Sequence, residues 1–221
     1  MNNLKGLRTR FLGAVLLALP LGSALGAPIV FTGYDAGSGS LATAPLATAA
    51  AAAFDAAVSG ATVVTFESAL PAGFSLTGGS ITSDSTCAAA LCGYNTTVGG
   101  KLFHLVLATS VTYNFANAID SFGAYFTGWQ VGSQTLTYVD NTTVTLDMGD
   151  AVLSDGGTRF FGFTDVGAQI LSVTYNSLFD FVSVDDIRFG SASAVPEPSI
   201  LALLGVGLAA FGFARRRRSR S

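Results

Sequence analysis

The chain has 221 residues, half of them hydrophobic and only 11% charged, with a formal net charge of −3, two cysteines and one histidine. The charges are unevenly placed: Lys5, Arg8 and Arg10 stand near the N-terminus, five arginines follow Ala214, and the stretch 27–190 holds thirteen of the fourteen acids against Lys101, Arg159 and Arg188, a net charge of −10. Such a body has no basic footprint for a phosphate backbone, which argues against nucleic acid as a partner, and about 160 residues suffice for one domain with a core and hardly for two.

In chain order, the three N-terminal bases precede an apolar run, Phe11 to Leu19, which Pro20 and Gly22 end early. Ala24-Leu25-Gly26 then offers small residues before a cleavage between Gly26 and Ala27. This is the pattern of a secretory signal peptide over residues 1–26, removed by signal peptidase, rather than of a retained anchor. Residues 27–60 are rich in Ala, Gly, Ser and Thr. Alanine propensity predicts one short helix over Leu46 to Val58, with Phe54 and Val58 on a thin apolar face, packed loosely outside the main domain.

From Ala61 the pattern changes to short runs rich in Val, Thr, Phe and Tyr, separated by Gly, Asp and Asn. The runs are Ala61 to Phe66, Phe74 to Ile81, Leu102 to Leu107, Val111 to Phe115, Ile119 to Phe126, Gln134 to Val139, Thr142 to Leu146, Arg159 to Thr164, Gln169 to Tyr175 and Phe179 to Phe189. About ten such runs predict an all-β domain over residues 61–190, an antiparallel β-sandwich or jelly roll, because two packed sheets bury this many strands better than one open sheet. In the last run, strict alternation sets Phe181, Ser183, Asp185 and Ile187 on one face and Val182, Val184, Asp186 and Arg188 on the other.

Several residues in this body invite a chemical role. Cys87 and Cys92 are the only cysteines, and in an exported protein they read as a local disulfide, since no second pair or nearby histidine completes a metal set. His104, the only histidine, sits inside an apolar strand, and no Gly-x-Ser-x-Gly elbow accompanies it, so it reads as a strand histidine and no catalytic residue is assigned. Trp129 follows a glycine at the end of a strand, where exposure would make it a stacking platform for a glycan. Glu67 ends the first strong strand and Asp185-Asp186 lies in the last. First and last strands of a jelly roll are usually neighbours, so these acids would meet and offer hard oxygens to calcium; solvated carboxylates, or Asp186 paired with Arg188, are the alternatives. Thr65-Phe66-Glu67 and Val184-Asp185-Asp186-Ile187-Arg188-Phe189 also resemble the opening and closing strands of exported β-sandwiches similar to carbohydrate-binding modules. That resemblance implies a structural calcium at the same acids, and no other cofactor.

The chain ends, after a linker at residues 191–195, in three consecutive parts: Pro196-Glu197-Pro198, an uncharged run from Ile200 to Ala214, and the basic block Arg215, Arg216, Arg217 and Arg218 followed by Arg220. As a helix, residues 199–214 would span about 24 Å, slightly short of a bilayer's hydrocarbon core, and the arginines would hold the C-terminus in the cytoplasm. These 26 residues resemble the PEP-CTERM sorting signal of Gram-negative bacteria that make extracellular polysaccharide. The resemblance implies an exosortase, a membrane-embedded cysteine transpeptidase-like enzyme, as processing partner. It makes Pro196, Glu197 and Pro198 the recognition element, residues 199–214 a transient transmembrane anchor in the inner membrane, and the arginines the retention signal.

The expectation for the whole is an exported protein whose body ends in the envelope or outside the cell. A non-enzymatic structural or adhesive role leads, a polysaccharide-binding module using Trp129 is the alternative, and a hydrolase using acidic residues is third, since catalytic carboxylates must flank a cleft.

Overall fold

The computed structural model describes residues 27–83, 87–101, 103–107, 109–150, 156–177 and 180–192. The expected signal peptide and C-terminal sorting segment lie outside them. In chain order the elements are β1 (Ile29–Ala36), α1 (Pro45–Ala57), β2 (Thr62–Val64), β3 (Phe74–Thr77), β4 (Ser80–Thr82), α2 (Ala89–Cys92), β5 (Phe103–Leu107), β6 (Ser110–Ile119), β7 (Ser121–Thr127), β8 (Val131–Tyr138), β9 (Thr143–Asp150), β10 (Gly157–Thr164), β11 (Ile170–Asn176) and β12 (Phe181–Gly190). The described body is an antiparallel β-sandwich of a seven-stranded sheet, in the order β1-β10-β7-β12-β5-β4 with β2 also on β12, and a five-stranded sheet, in the order β3-β6-β11-β8-β9.

Alternation along the strands builds the core. Phe122, Phe126, Phe161, Val182 and Val184 from one sheet meet Val111, Tyr113, Leu136, Val173 and Tyr175 from the other, all buried. Ring contacts cross the interface between Tyr113 and Phe122 at 5.6 Å and between Phe126 and Tyr175 at 4.9 Å, so aromatic area fills the space between sheets.

Three features depart from the sequence expectations. The run Phe74 to Ile81 is two strands in different sheets, because Gly78 and Gly79 both take positive φ (92° and 64°) and turn the chain from one layer to the other. The last strand does not alternate strictly. Its pairing with β7 shifts between Asp185 and Arg188, and Asp186 has φ 47°, so a bulge inserts one extra residue and Ile187 joins Val182 and Val184 in the core. The third departure is the domain boundary at residue 61.

Residues 29–60 are integral to the domain they were expected to pack outside, β1 as a strand of its larger sheet and α1 as a helix packed on that sheet. β1 pairs with β10 along its whole length, and α1 lies across the outer face of this sheet, burying Ala47, Ala51 and Phe54. Asp35, on β1, caps the helix from a distance: its carboxylate accepts the N–H groups of Leu46 at 3.2 Å and Ala47 at 2.8 Å. The acid thereby satisfies two orphan donors and faces the positive end of the helix dipole. Glycine at 123 and 162 makes the seat for Phe54, since a Cβ at Gly162 would stand 2.9 Å from its ring. Phe54 instead packs on Phe31 and Phe160 at 5.7 and 5.8 Å, and Arg188 on β12 binds Asp55 at 3.0 Å.

Candidate functional site

The bulge in β12 is where the sequence-predicted acids are brought to one loop. On the edge of β12 away from β7, β5 covers Phe181 to Val184 and β2 covers Ile187 to Phe189, so Asp185 and Asp186 lie at the seam between two strand ends. The loop 95–101 fills that seam. Asp185 Oδ2 accepts from the Thr96 N–H at 2.7 Å and the Thr96 hydroxyl at 2.9 Å, while its Oδ1 accepts the N–H of Asp186 at 2.8 Å. Asp186 Oδ1 accepts the Thr97 hydroxyl at 3.0 Å. Glu67 Oε1 accepts from Asn95 Nδ2 and from the N–H of Lys101, both at 2.6 Å.

The arrangement is a hydrogen-bonded clamp. Donors from the loop reach Asp185 Oδ2, Asp186 Oδ1 and Glu67 Oε1, one oxygen of each of the three acids expected to meet. Among the described residues no group of three or more His, Cys, Asp or Glu side chains gathers in a metal-holding cluster. Asp185 is fully buried, and burial pushes its carboxyl up to about 7, against the opposing pull of the Thr96 and Asp186 amides.

Cys87 and Cys92 are joined by a disulfide, with Cα atoms 5.4 Å apart, and it closes the short loop that carries α2. The loop is fixed to the sheet by Ser183 Oγ, which donates to the Cys92 carbonyl at 2.9 Å.

Trp129 is not a surface platform. It is fully buried, 5.4 Å edge-on from Tyr34, with the Arg159 guanidinium 3.9 Å above its ring. The glycine before it ends β7 and turns the indole inward between the sheets rather than out to solvent, which removes the basis for glycan stacking at this position. Arg159 also donates to Thr32 Oγ1 at 3.0 Å, and burial lowers its pKa. His104 is a satisfied core residue. The Gly78 carbonyl, 3.0 Å away, requires a proton on Nε2, so Nδ1 accepts from the Tyr113 hydroxyl at 3.2 Å. Desolvation lowers the pKa of this ring.

One surface was not singled out from the sequence. Across the five-stranded sheet, register pairs Thr77 with Thr112, Thr112 with Thr174, Thr174 with Thr135 and Thr135 with Thr145, an unbroken row of five threonines on its solvent face. The next row is Ser75, Asn114, Ser172, Thr137 and Thr143. None of these ten side chains is buried and none is charged. Hydroxyls pair laterally, Thr112 with Thr174 at 2.9 Å and Thr135 with Thr145 at 3.2 Å. The signal for it was present in the Thr-rich runs, but only strand order and register turn scattered threonines into rows.

The three parts of the C-terminal sorting element, Pro196 to Pro198, residues 199–214 and Arg215 to Arg218, lie outside the described residues, and no described helix is long and apolar enough to cross a membrane. Comparison with known proteins bears on them directly. A search of curated proteins found no match to the chain. Residues 194–218 match the family of the PEP-CTERM protein-sorting motif. That motif implies membrane anchoring and exosortase-type processing of an exported protein. The chain is therefore an all-β body carrying a PEP-CTERM protein-sorting motif at its C-terminal end.

Proposed function

We propose that the body is a non-enzymatic structural or adhesive component of the cell envelope or extracellular matrix, delivered there by processing at its C-terminal motif. The observation that carries this reading is the hydroxyl face of the five-stranded sheet. In a body with a net charge of −10, this broad face presents ten uncharged serine, threonine and asparagine side chains in two rows. Neighbouring side chains within a row are spaced by about 4.8 Å, and successive rows by about 6.7 Å, which suits repeated hydrogen bonding to a partner that is itself uncharged and rich in hydroxyls.

The buried carboxylates support a structural rather than catalytic use. Asp180 accepts from the N–H groups of Gln130 and Val131 at 2.7 and 3.4 Å, Asp165 from the Tyr138 hydroxyl at 2.8 Å, and Asp185 from Thr96. Each holds together segments distant in the chain.

The polysaccharide-binding alternative is favoured by this same face instead of by Trp129. Neighbouring strands rotate by about 20–25°, so a row over five strands turns by about 80–100°. A flexible neutral glycan chain can follow such a row, whereas a flat crystalline surface meets only two or three strands of it. The test is matrix retention and glycan-array binding of the exported protein carrying Thr174→Glu and Thr135→Glu. We expect loss of both at a temperature where thermal melts show the variant folded, its melting temperature being lowered because the two new charges stand opposite each other on paired strands. Undiminished retention would remove the hydroxyl face from the function.

A further inference from the structure

Both ends of the described chain leave the sandwich at the same end. Ile29, at the start of β1, pairs with Thr164, Thr164 with Ser121, and Ser121 with Gly190 at the end of β12. Entry and exit strands are thus separated by two strands, about 14 Å at the usual inter-strand spacing. Asp120 fixes the exit: its Oδ1 accepts the N–H of Ala192 at 2.5 Å, its Oδ2 that of Gly167 at 3.4 Å, and its carbonyl that of Asp165 at 2.7 Å.

The turn that Asp120 holds is one wall of an open groove of about 750 Å³, whose other walls are Ala27 and Pro28 at the chain entry and the β8–β9 hairpin around Tyr138 and Val144. This end carries a group of exposed aliphatic side chains beside the polar Asp140, Asn141, Thr142 and Gln169. Ile29, Val30, Val139, Val144, Val166 and Leu171 each leave more than a third of their surface exposed. Only Ser193, Ala194 and Val195 separate Ala192 from Pro196, and six residues separate Ala192 from Ser199. Fully extended, the seven steps from Ala192 to Ser199 reach at most about 25 Å. A chain anchored in the membrane through its C-terminal motif therefore keeps this end of the body, and not the other, beside the bilayer.

We propose that the apolar end face is a docking surface for the lipid interface, engaged as long as the C-terminal anchor is attached. The aliphatic side chains enter the boundary between headgroups and acyl chains, and Tyr138 sits among them with its hydroxyl held by Asp165 at 2.8 Å. Asp140 at the hairpin tip and the net charge of −10 disfavour an anionic surface, so the fitting partner is neutral or zwitterionic phospholipid. So few half-exposed aliphatic groups bind lipid weakly on their own. The short tether raises their effective concentration at the bilayer, and cleavage near Pro196 to Pro198 ends the contact. Docking thus presents the sorting motif at a fixed height and orientation before processing, and leaves the released body soluble.

The test uses the full chain reconstituted in phosphatidylcholine nanodiscs that contain nitroxide-labelled lipid. Tryptophan is introduced at Val139, on the proposed face, or at Phe181, which is 44% exposed and begins β12 at the opposite end. Trp129 is buried and contributes a constant background. We expect at least twofold stronger quenching for Val139→Trp than for Phe181→Trp, and loss of that excess on adding Val144→Glu and Val166→Glu. We also expect the excess to be reduced but retained on insertion of twenty Gly/Ser residues after Ala192, since a longer tether lowers the effective concentration without abolishing it. Equal quenching at the two ends overturns the proposal. So does loss of the excess with the long linker, which would mean that tether length alone keeps the end near the lipid. Thermal melts of the variants confirm that the comparison is made between folded proteins.

Discussion

The two sheets share one core but meet the outside in opposite ways. The outer face of the seven-stranded sheet is covered by α1, α2 and the loop 94–101, and every residue of β7 and β10 is buried. Among the described residues no element covers the outer face of the five-stranded sheet, and β6 and β8 alternate buried with unburied positions along most of their length. Coverage decides composition. A strand buried on both sides needs apolar or glycine residues on both, as in Phe160-Phe161-Gly162-Phe163, whereas a strand with one wet side can carry threonine at every second position.

The contrast can be broken most severely at the helix that makes it. Phe54→Ala removes the side chain seated over Gly123 and Gly162 and is expected to cost about 3–5 kcal/mol in urea unfolding. Next in expected size is the pH response of the covered sheet. Burial raises the carboxyls of Asp185, to about 7, and Asp180, to about 6, above the ordinary aspartate value. Between about pH 4 and 7 the folded chain then binds more protons than the unfolded one, so stability falls as pH rises through this window. Asp185→Asn should flatten the part of that decline nearest pH 7. A stability that rises from pH 4 to 7 would contradict the assignment.

The bare sheet offers a gain. Gln134, fully buried on its inner side, has both amide atoms without a hydrogen-bond partner. Gln134→Leu is expected to stabilise by about 1–3 kcal/mol in the same assay, because it removes an unsatisfied polar group from the core. Asp35→Ala, which strips the remote cap from α1, should cost about 1 kcal/mol, with helix signal lost before strand signal on heating. The smallest effect is expected at Thr174→Ala on the bare face. It loses one hydroxyl pair and some strand preference, at most about 0.5–1 kcal/mol, and a larger loss would show that the threonine rows serve the fold.

How much was legible follows from the range of the interactions. Period-two patterning predicted the strands of the five-stranded sheet well, because one wet face writes alternation into the sequence, and the threonines of β8 and β9 are visible as such. β1, IVFTGYDA, was overlooked because it stands apart beside an alanine-rich stretch and is recognisable only by its partner β10. The face of Ile187 was misassigned because a bulge shifts the alternation, and neighbouring residues do not announce a bulge. Trp129 was misplaced for a related reason: a glycine at a strand end permits either direction, and the space beside Tyr34 and Arg159 selects the inward one.

By itself, the sequence determined what depends on contiguous residues. Strand propensity and alternation specified an all-β body, and an uninterrupted order of Pro-Glu-Pro, apolar run and arginines specified a sorting motif that is read as a linear signal. Only the tertiary structure decided what depends on residues far apart in the chain. It placed Glu67, Asp185 and Asp186 around one loop as hydrogen-bond acceptors, aligned five threonines from five strands, and brought the start of β1 and the end of β12 to one end of the described body. The physical reason is that side-chain period, turn chemistry and hydropathy act over a few residues, whereas register and burial are set jointly by segments far apart in the chain, as Ile29 and Thr164 are, whose pairing no local pattern encodes.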